Sequence, residues 1–500
     1  MRRRTASTLP LLAVLWAAPL SAQYQVDTTG AGALIAEATE RSEVMENLRY
    51  LSDVIGPRLS GDPAMREAND WVAERFRAYG IPATLEPFDF GVTWKRGPIA
   101  VHLVEPFERT VLAYSWAWTE GTGGETLTGP VVRANISSPD SLEAYRDRIR
   151  GAWVMLNEPA LVWNPDGPPM TPADSAARQE EMERRRALQR EFAADTSDAA
   201  RAARREFGAE RNRLMKEAGA LGVLTDGSKE HTLVTMSGSP NRVSPLPNIV
   251  VSHEDYLMFA RQLEAGVTPQ LAASVENTIG TGPVQQWNTI GEIRGSELPG
   301  QVVIVGAHLD SWDHAQGVTD NGASSMAVLE AARVIQESGL KPKRTIRFIL
   351  FTGEEQGLMG SRAYAAAHAE EADSVQAVLV LDNGTGMILG QALQGRNELA
   401  GLWRDLLAPV ASLGAGRVRE ANKGGTDHLP FIPYGIPAFN FDQEPRGYNH
   451  THHSQSDTFD KAVPGDLRQA SAVLAVTAFE LANLPALLPR GERSEIAGRR

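Results

Sequence analysis

The chain has 500 residues, 42% of them hydrophobic and 22% charged, with 49 Lys+Arg against 62 Asp+Glu and a formal net charge of -13. That length implies two or three folded units. The ordinary apolar fraction excludes wholesale disorder, and the acidic balance argues against a nucleic-acid partner, which needs a basic face. There is no cysteine, so disulfide scaffolds, thiolate metal sites and a cysteine nucleophile are excluded.

Arg2, Arg3 and Arg4 precede an apolar run, Leu9 to Leu20, and the small pair Ser21-Ala22. This is the three-part pattern of a secretory leader. The run is too short to span a membrane, and no later stretch reaches about 18 apolar residues. The expectation is an exported protein, periplasmic or secreted, with residues 1–22 removed and no membrane span.

Residues 23–124 are expected to form the first part of the main domain. Helical spacing runs over 32–80; in Met65–Ala78, Ala68, Trp71, Val72, Arg75 and Phe76 share a face, and Gly80 ends the pattern. Short β-prone runs broken by Pro and Gly follow from Ala83 to Ala117. Residues 125–272 are expected to be a β-rich insertion, with strands at Gly129–Arg133 and Gly151–Leu156 and buried strands in Ala218–Thr225 and Pro247–Val251. Within it, 173–218 is dense in Ala, Glu and Arg with acid–base pairs at i, i+4, which predicts an exposed helical arm. Over 273–490 apolar strands alternate with helices. The expected class is therefore α/β, a mixed, mainly parallel central sheet flanked by helices. Residues 491–500 are polar and expected to be a frayed tail.

The chemistry sits at strand ends. Val302–Ala307 is a continuous apolar run, as in a strand buried on both faces, and it ends in His308-Leu309-Asp310. Thr345–Thr352 ends in Glu354-Glu355, Val375–Leu381 ends in Asp382, and Ile436–Phe441 leads to a loop carrying Tyr448, His450, His452 and His453. Ligands of open α/β sheets bind beyond the carboxyl ends of the strands. Imidazole and carboxylate are the non-thiol ligands of zinc. His308, Asp320, Glu355, Asp382 and one histidine of the 450–453 loop would give each of two zinc ions three ligands if one carboxylate bridged, with a shared position left for water. Asp310, two residues past His308, can accept the other ring N–H. Glu354 and Glu355 diverge, so one can bind metal while the other acts as general base. His314 and His368 stand isolated and are read as surface residues.

The segments GAHLDSWDHAQGVTDNGAS, RFILFTGEEQGLMGS, VLDNG, GGTDHLPF and HHSQSDT occur in this order. Together they resemble the di-zinc exopeptidase family of aminopeptidase Y, glutamate carboxypeptidase and the transferrin receptor, and most closely its carboxypeptidase Q branch. The resemblance covers roughly residues 40–125 and 275–490. It implies the zinc exopeptidase fold, with 125–272 a protease-associated domain, 273–490 the catalytic core, and a homodimer. It further implies His308 and Asp382 on one zinc, Glu355 and His453 on the other, Asp320 bridging, Glu354 as general base acting on a metal-bridged hydroxide, Asp310 orienting His308, and Asp457 as support. His452 or Tyr448 would stabilise the oxyanion, and Arg446 is a candidate fork for a substrate carboxylate. The implied substrate is a short peptide or dipeptide, cleaved in the manner of the carboxypeptidase Q branch; an aminopeptidase releasing N-terminal residues is the alternative. An inactive receptor-like protein would show eroded ligands, and here the full set is present.

Overall fold

The computed structural model describes residues 24–160, 171–192 and 198–494; the expected leader, 1–22, lies outside them. Two eight-stranded sheets organise the chain. In the first, the strand order is Ala83–Asp89, Gln285–Ile293, Arg344–Phe351, Leu298–His308, Val375–Val380, Ala438–Gln443, Ile388–Ala392 and Arg417–Arg419. Its centre is parallel: Leu298–His308 runs beside both Arg344–Phe351 and Val375–Val380, and the latter beside Ala438–Gln443. The Gln285–Ile293 strand and the Ala83–Asp89 edge are antiparallel. This is the expected mixed, mainly parallel sheet flanked by helices.

The central strands are apolar on both faces because helices cover both. On one side Ala31–Glu40, Ala323–Glu337 and Pro464–Asn483 bury Leu34, Val328, Leu329, Val473 and Leu474 against Val303 and Val305. On the other, Tyr364 of the helix Met359–Ala367 and Phe431 pack on Ile304, Ile349 and Phe351. Each such side chain contributes about 1.5–3 kcal/mol by leaving water, which fixes the register that aligns the strand ends. The predicted helix is present as Pro63–Ala78: Pro63 supplies a preset first turn, the Asp62 side chain accepts from Ala64 N–H, and Gly80 follows its end at φ +75°.

The second sheet runs Arg109–Thr110, Ile99–Glu105, Gln270–Val275, Leu127–Arg133, Trp153–Met155, Gly222–Asp226, Asn248–Val251 and Ala113–Ser115. This sheet draws in residues on both sides of 125–272, since Ile99–Glu105 pairs antiparallel with Gln270–Val275. The chain enters it at Gly97, where a Cβ would lie 1.7 Å from the Glu276 carbonyl oxygen; only glycine permits that crossing. The predicted arm consists of the helices Pro172–Phe192 and Asp198–Glu217, and the second packs Phe207 and Met215 against Leu142 and Ile149 of the insertion. Residues 491–494, expected in a frayed tail, are held instead: Gly491 N–H donates to Gly435 O and Ser494 N–H to Pro433 O. No described helix is long and apolar enough to cross a membrane.

Candidate active site

Four parallel strands deliver their side chains to one rim, as their carboxyl-terminal ends require. His308 ends its strand, and Asp320 lies, with a non-helical backbone (φ -133°, ψ 84°), in the turn Val318–Gly322 that leads into the helix Ala323–Glu337. Glu354 and Glu355 follow the Arg344–Phe351 strand through Gly353, whose φ of +81° turns the chain. Asp382 follows Val375–Val380, and the 448–453 segment follows Ala438–Gln443.

Asp320 is the hub. Its Oδ1 lies 3.4 Å from His308 Nε2, and its Oδ2 lies 3.5 Å from His453 Nε2. His308 Nε2 is also 3.6 Å from Asp382 and 4.0 Å from Glu354. His453 Nε2 is 2.8 Å from Glu355 Oε2, which also accepts the Trp312 indole N–H at 2.8 Å. His452 is stacked on His453 with centroids 3.8 Å apart and reaches Asp320 Oδ2 at 3.9 Å. Donor atoms of His308, Asp320 and Asp382 all lie within 4.8 Å of one another, as do those of Asp320, His452 and His453.

Electrostatics in the cluster are unbalanced. Burial opposes protonation of His308, but Asp382, Glu354, Asp310 and Asp320 around it hold its pKa well above the ordinary histidine value. Burial and neighbouring acids push Glu354 and Glu355 well above the usual carboxylate range. Among the described residues, the ion pairs of Asp320, Glu354, Glu355 and Asp382 are all with imidazoles. His308 Nε2, Asp320 Oδ2 and Glu355 Oε1 are buried with no hydrogen-bond partner. Buried acids and unpaired acceptors converging on imidazole nitrogens are the donor set of a cation site.

The surroundings hold these groups still. His308 Nδ1 lies 3.0 Å from the carbonyl oxygen of Asp310 and 3.5 Å from its carboxylate. That carboxylate accepts the Glu354 and Glu355 N–H groups, each at 3.3 Å, and the Ser60 hydroxyl at 3.2 Å. Asp310 thus steadies both His308 and the Glu354-Glu355 backbone. Asp457 accepts the N–H groups of Val318, Thr319 and Asp320, fixing the turn that presents Asp320.

Tyr448 and His452, the two oxyanion candidates, both line the open cleft of about 530 Å³ over the cluster. Arg446 does not join them. Its Nε is 2.6 Å from Asp466 and 3.3 Å from Glu444, so acids on the final helix and its own loop hold the proposed fork elsewhere. His314 is not a surface residue: burial pushes its pKa down to about 4, and its Nε2 lies 3.0 Å from the His453 carbonyl oxygen. Sequence reading also missed Arg58. This buried guanidinium donates to the carbonyls of Gly56, Leu309, Gln316 and Gly317, clamping the loop after His308. Its segment carries no motif that signals the role.

Residues 288–478 match the model described as peptidase family M28. The chain is 28% identical over 464 residues to carboxypeptidase Q of Homo sapiens, covering 92% of this chain and 89% of that protein. It is 28% identical over 283 residues to aminopeptidase YwaD of Bacillus subtilis (strain 168), covering 54% of this chain and 59% of the relative. Among solved structures, a peptidase M28 precursor from Shewanella amazonensis SB2B superposes with a TM-score of 0.73 at 23% identity, covering 93% of this chain and 98% of the other. BSAP, a zinc aminopeptidase from Bacillus subtilis, gives a TM-score of 0.59 at 20% identity, covering 88% and 94%.

Proposed function

We propose that this chain, a zinc metallopeptidase whose catalytic body is of family M28, holds two zinc ions and acts as an exopeptidase on short peptides in the manner of a carboxypeptidase or dipeptidase. The observation that carries the two-ion reading is Asp320, whose two oxygens face His308 and His453 separately. His308 and Asp382 would hold one ion, Glu355 and His453 the other, and Asp320 would be shared. The residues fit such ions: the unpartnered buried atoms His308 Nε2, Asp320 Oδ2 and Glu355 Oε1 are zinc donors, and the surplus of buried negative charge needs cations. Bound zinc supplies Lewis acidity, lowering the pKa of water and polarising the scissile carbonyl.

The protein's own groups do the rest. Glu354 takes the proton of the attacking water and delivers it to the leaving nitrogen. Asp310, through its bonds to the Glu354 and Glu355 N–H groups, keeps base and ligand in register. Tyr448 or His452 donates to the developing oxyanion from the cleft wall. We read the inserted sheet as a protease-associated body that shapes access, because its 228–236 loop touches the histidine segment: Lys229 Nζ donates to Asn449 O, and Val234 N–H to Gln455 Oε1. The leader pattern of residues 1–22 supports export.

The purified enzyme should contain two zinc ions per chain and hydrolyse unblocked dipeptides. A chelator should abolish the activity, and zinc should restore it. Full hydrolysis by a zinc-free preparation would overturn the reading.

A further inference from the structure

We propose that Arg362 binds a carboxylate carried by the leaving residue of the substrate, an inference that rests on the two-zinc peptidase reading above. The cleft is walled by acids, Asp320, Glu354, Glu355 and Asp382, and among its described lining residues Arg362 is the one lysine or arginine. Arg362 is exposed, and its Nε donates to the Gly357 carbonyl at 3.0 Å. That bond sets the plane of the guanidinium, while the terminal nitrogens make no hydrogen bond or ion pair among the described residues. Arg446, by contrast, is neutralised by Asp466 and Glu444.

Position gives the side of the cleft. Glu354 hands its proton to the leaving nitrogen, so the residue released lies toward the Glu354 segment. That segment runs through Gly357 and Leu358, both cleft residues, into the first turn of the helix Met359–Ala367, where Arg362 stands. An α-carboxylate on the leaving residue, present when that residue is C-terminal, meets a fork of matching shape there. A carboxylate on the leaving residue's side chain offers the same chemistry.

The test uses the zinc-loaded full chain and three dipeptide substrates sharing one N-terminal residue: Xaa-Leu as the free acid, Xaa-Leu amide, and Xaa-Glu amide. The wild-type kcat/KM on the free acid should exceed that on the Leu amide by roughly 10- to 100-fold, the range expected for charge-assisted hydrogen bonds. Arg362→Gln should shrink that ratio toward one, mainly through KM, at unchanged zinc content, and Arg362→Lys should fall between. If the Glu amide also outruns the Leu amide and loses its advantage in Arg362→Gln, the fork reads side-chain carboxylates as well, and the assignment stands. A free-acid to amide ratio that is the same in wild type and variant overturns it, as does equal loss on all three substrates. Cleavage of none of the three by the zinc-loaded wild type overturns the peptidase reading itself.

Discussion

Met236, on a loop of the inserted body, donates its backbone N–H to the carbonyl oxygen of His453 at 2.8 Å. The bond crosses from one sheet system to the other and lands on a residue that needs it. His453 sits at φ +54°, the left-handed region that costs a non-glycine residue about 1 kcal/mol. The His314 ring donates to the same oxygen from the loop after His308. Two donors from separate segments thus hold the backbone that aims His453 at Asp320 and Glu355.

His314→Ala removes one of those donors without touching the proposed ligands. Outer groups of this kind are worth on the order of 10- to 100-fold in metal affinity or activity. The expected outcome is a weaker zinc affinity of that order, measured by competition with a chelator, with His314→Gln restoring part of it. Unchanged affinity in His314→Ala would show that Met236 N–H alone suffices.

Glu354 and Glu355 are adjacent in sequence but should separate in function. Glu355 Oε2 is engaged by His453 and Trp312, whereas Glu354 approaches His308 at 4.0 Å and lines the cleft. Glu354→Gln should keep two zinc ions and lose roughly 10²- to 10⁴-fold in kcat. Glu355→Ala should lose one ion per chain by elemental analysis. The opposite pattern would exchange the two roles.

What could be read from the sequence follows from what is local. The strands ending in His308, Glu354-Glu355 and Asp382 were legible because a strand buried on both faces is a mainly apolar run, and the imidazole or carboxylate stands just past its apolar end. Pairing is not local. Ile99–Glu105 joins Gln270–Val275 across more than 160 residues of chain, a partnership that the composition of either strand does not signal. His314 carries no sequence signal because its partner is a backbone carbonyl 139 residues away. Arg446 looked available because Asp466, which captures it, lies 20 residues on, in the final helix.

Arg58 offers a test of how much one buried side chain organises the rim. Its guanidinium satisfies carbonyls of Leu309, Gln316 and Gly317 on the loop between His308 and Asp320. Lysine has a single donor head and cannot reach all of them. Each buried carbonyl left unpaired costs about 1–3 kcal/mol. Arg58→Lys should therefore destabilise the chain by about 3 kcal/mol or more in denaturant unfolding, and it should weaken zinc binding because the loop presents both metal-facing groups. A fully stable variant with normal zinc content would remove Arg58 from this role.

Glu480 supplies a pH dependence distant from the cluster. It lies in the helix Pro464–Asn483, about 1% exposed, with neither carboxylate oxygen hydrogen-bonded. Burial, with a smaller contribution from the charge of Asp27, pushes its pKa up to about 9. In the unfolded chain the group ionises near its ordinary value of about 4.3. Between those values the folded state holds the proton and the unfolded state does not, so stability falls as pH rises from about 4.5 toward 9. Glu480→Gln keeps the shape and removes the titration. Its unfolding temperature should exceed that of the wild type at pH 9 by several degrees, and the gap should narrow toward pH 5 at matched zinc concentration. Parallel pH profiles for the two proteins would mean that the Glu480 carboxylate reaches water in the native state.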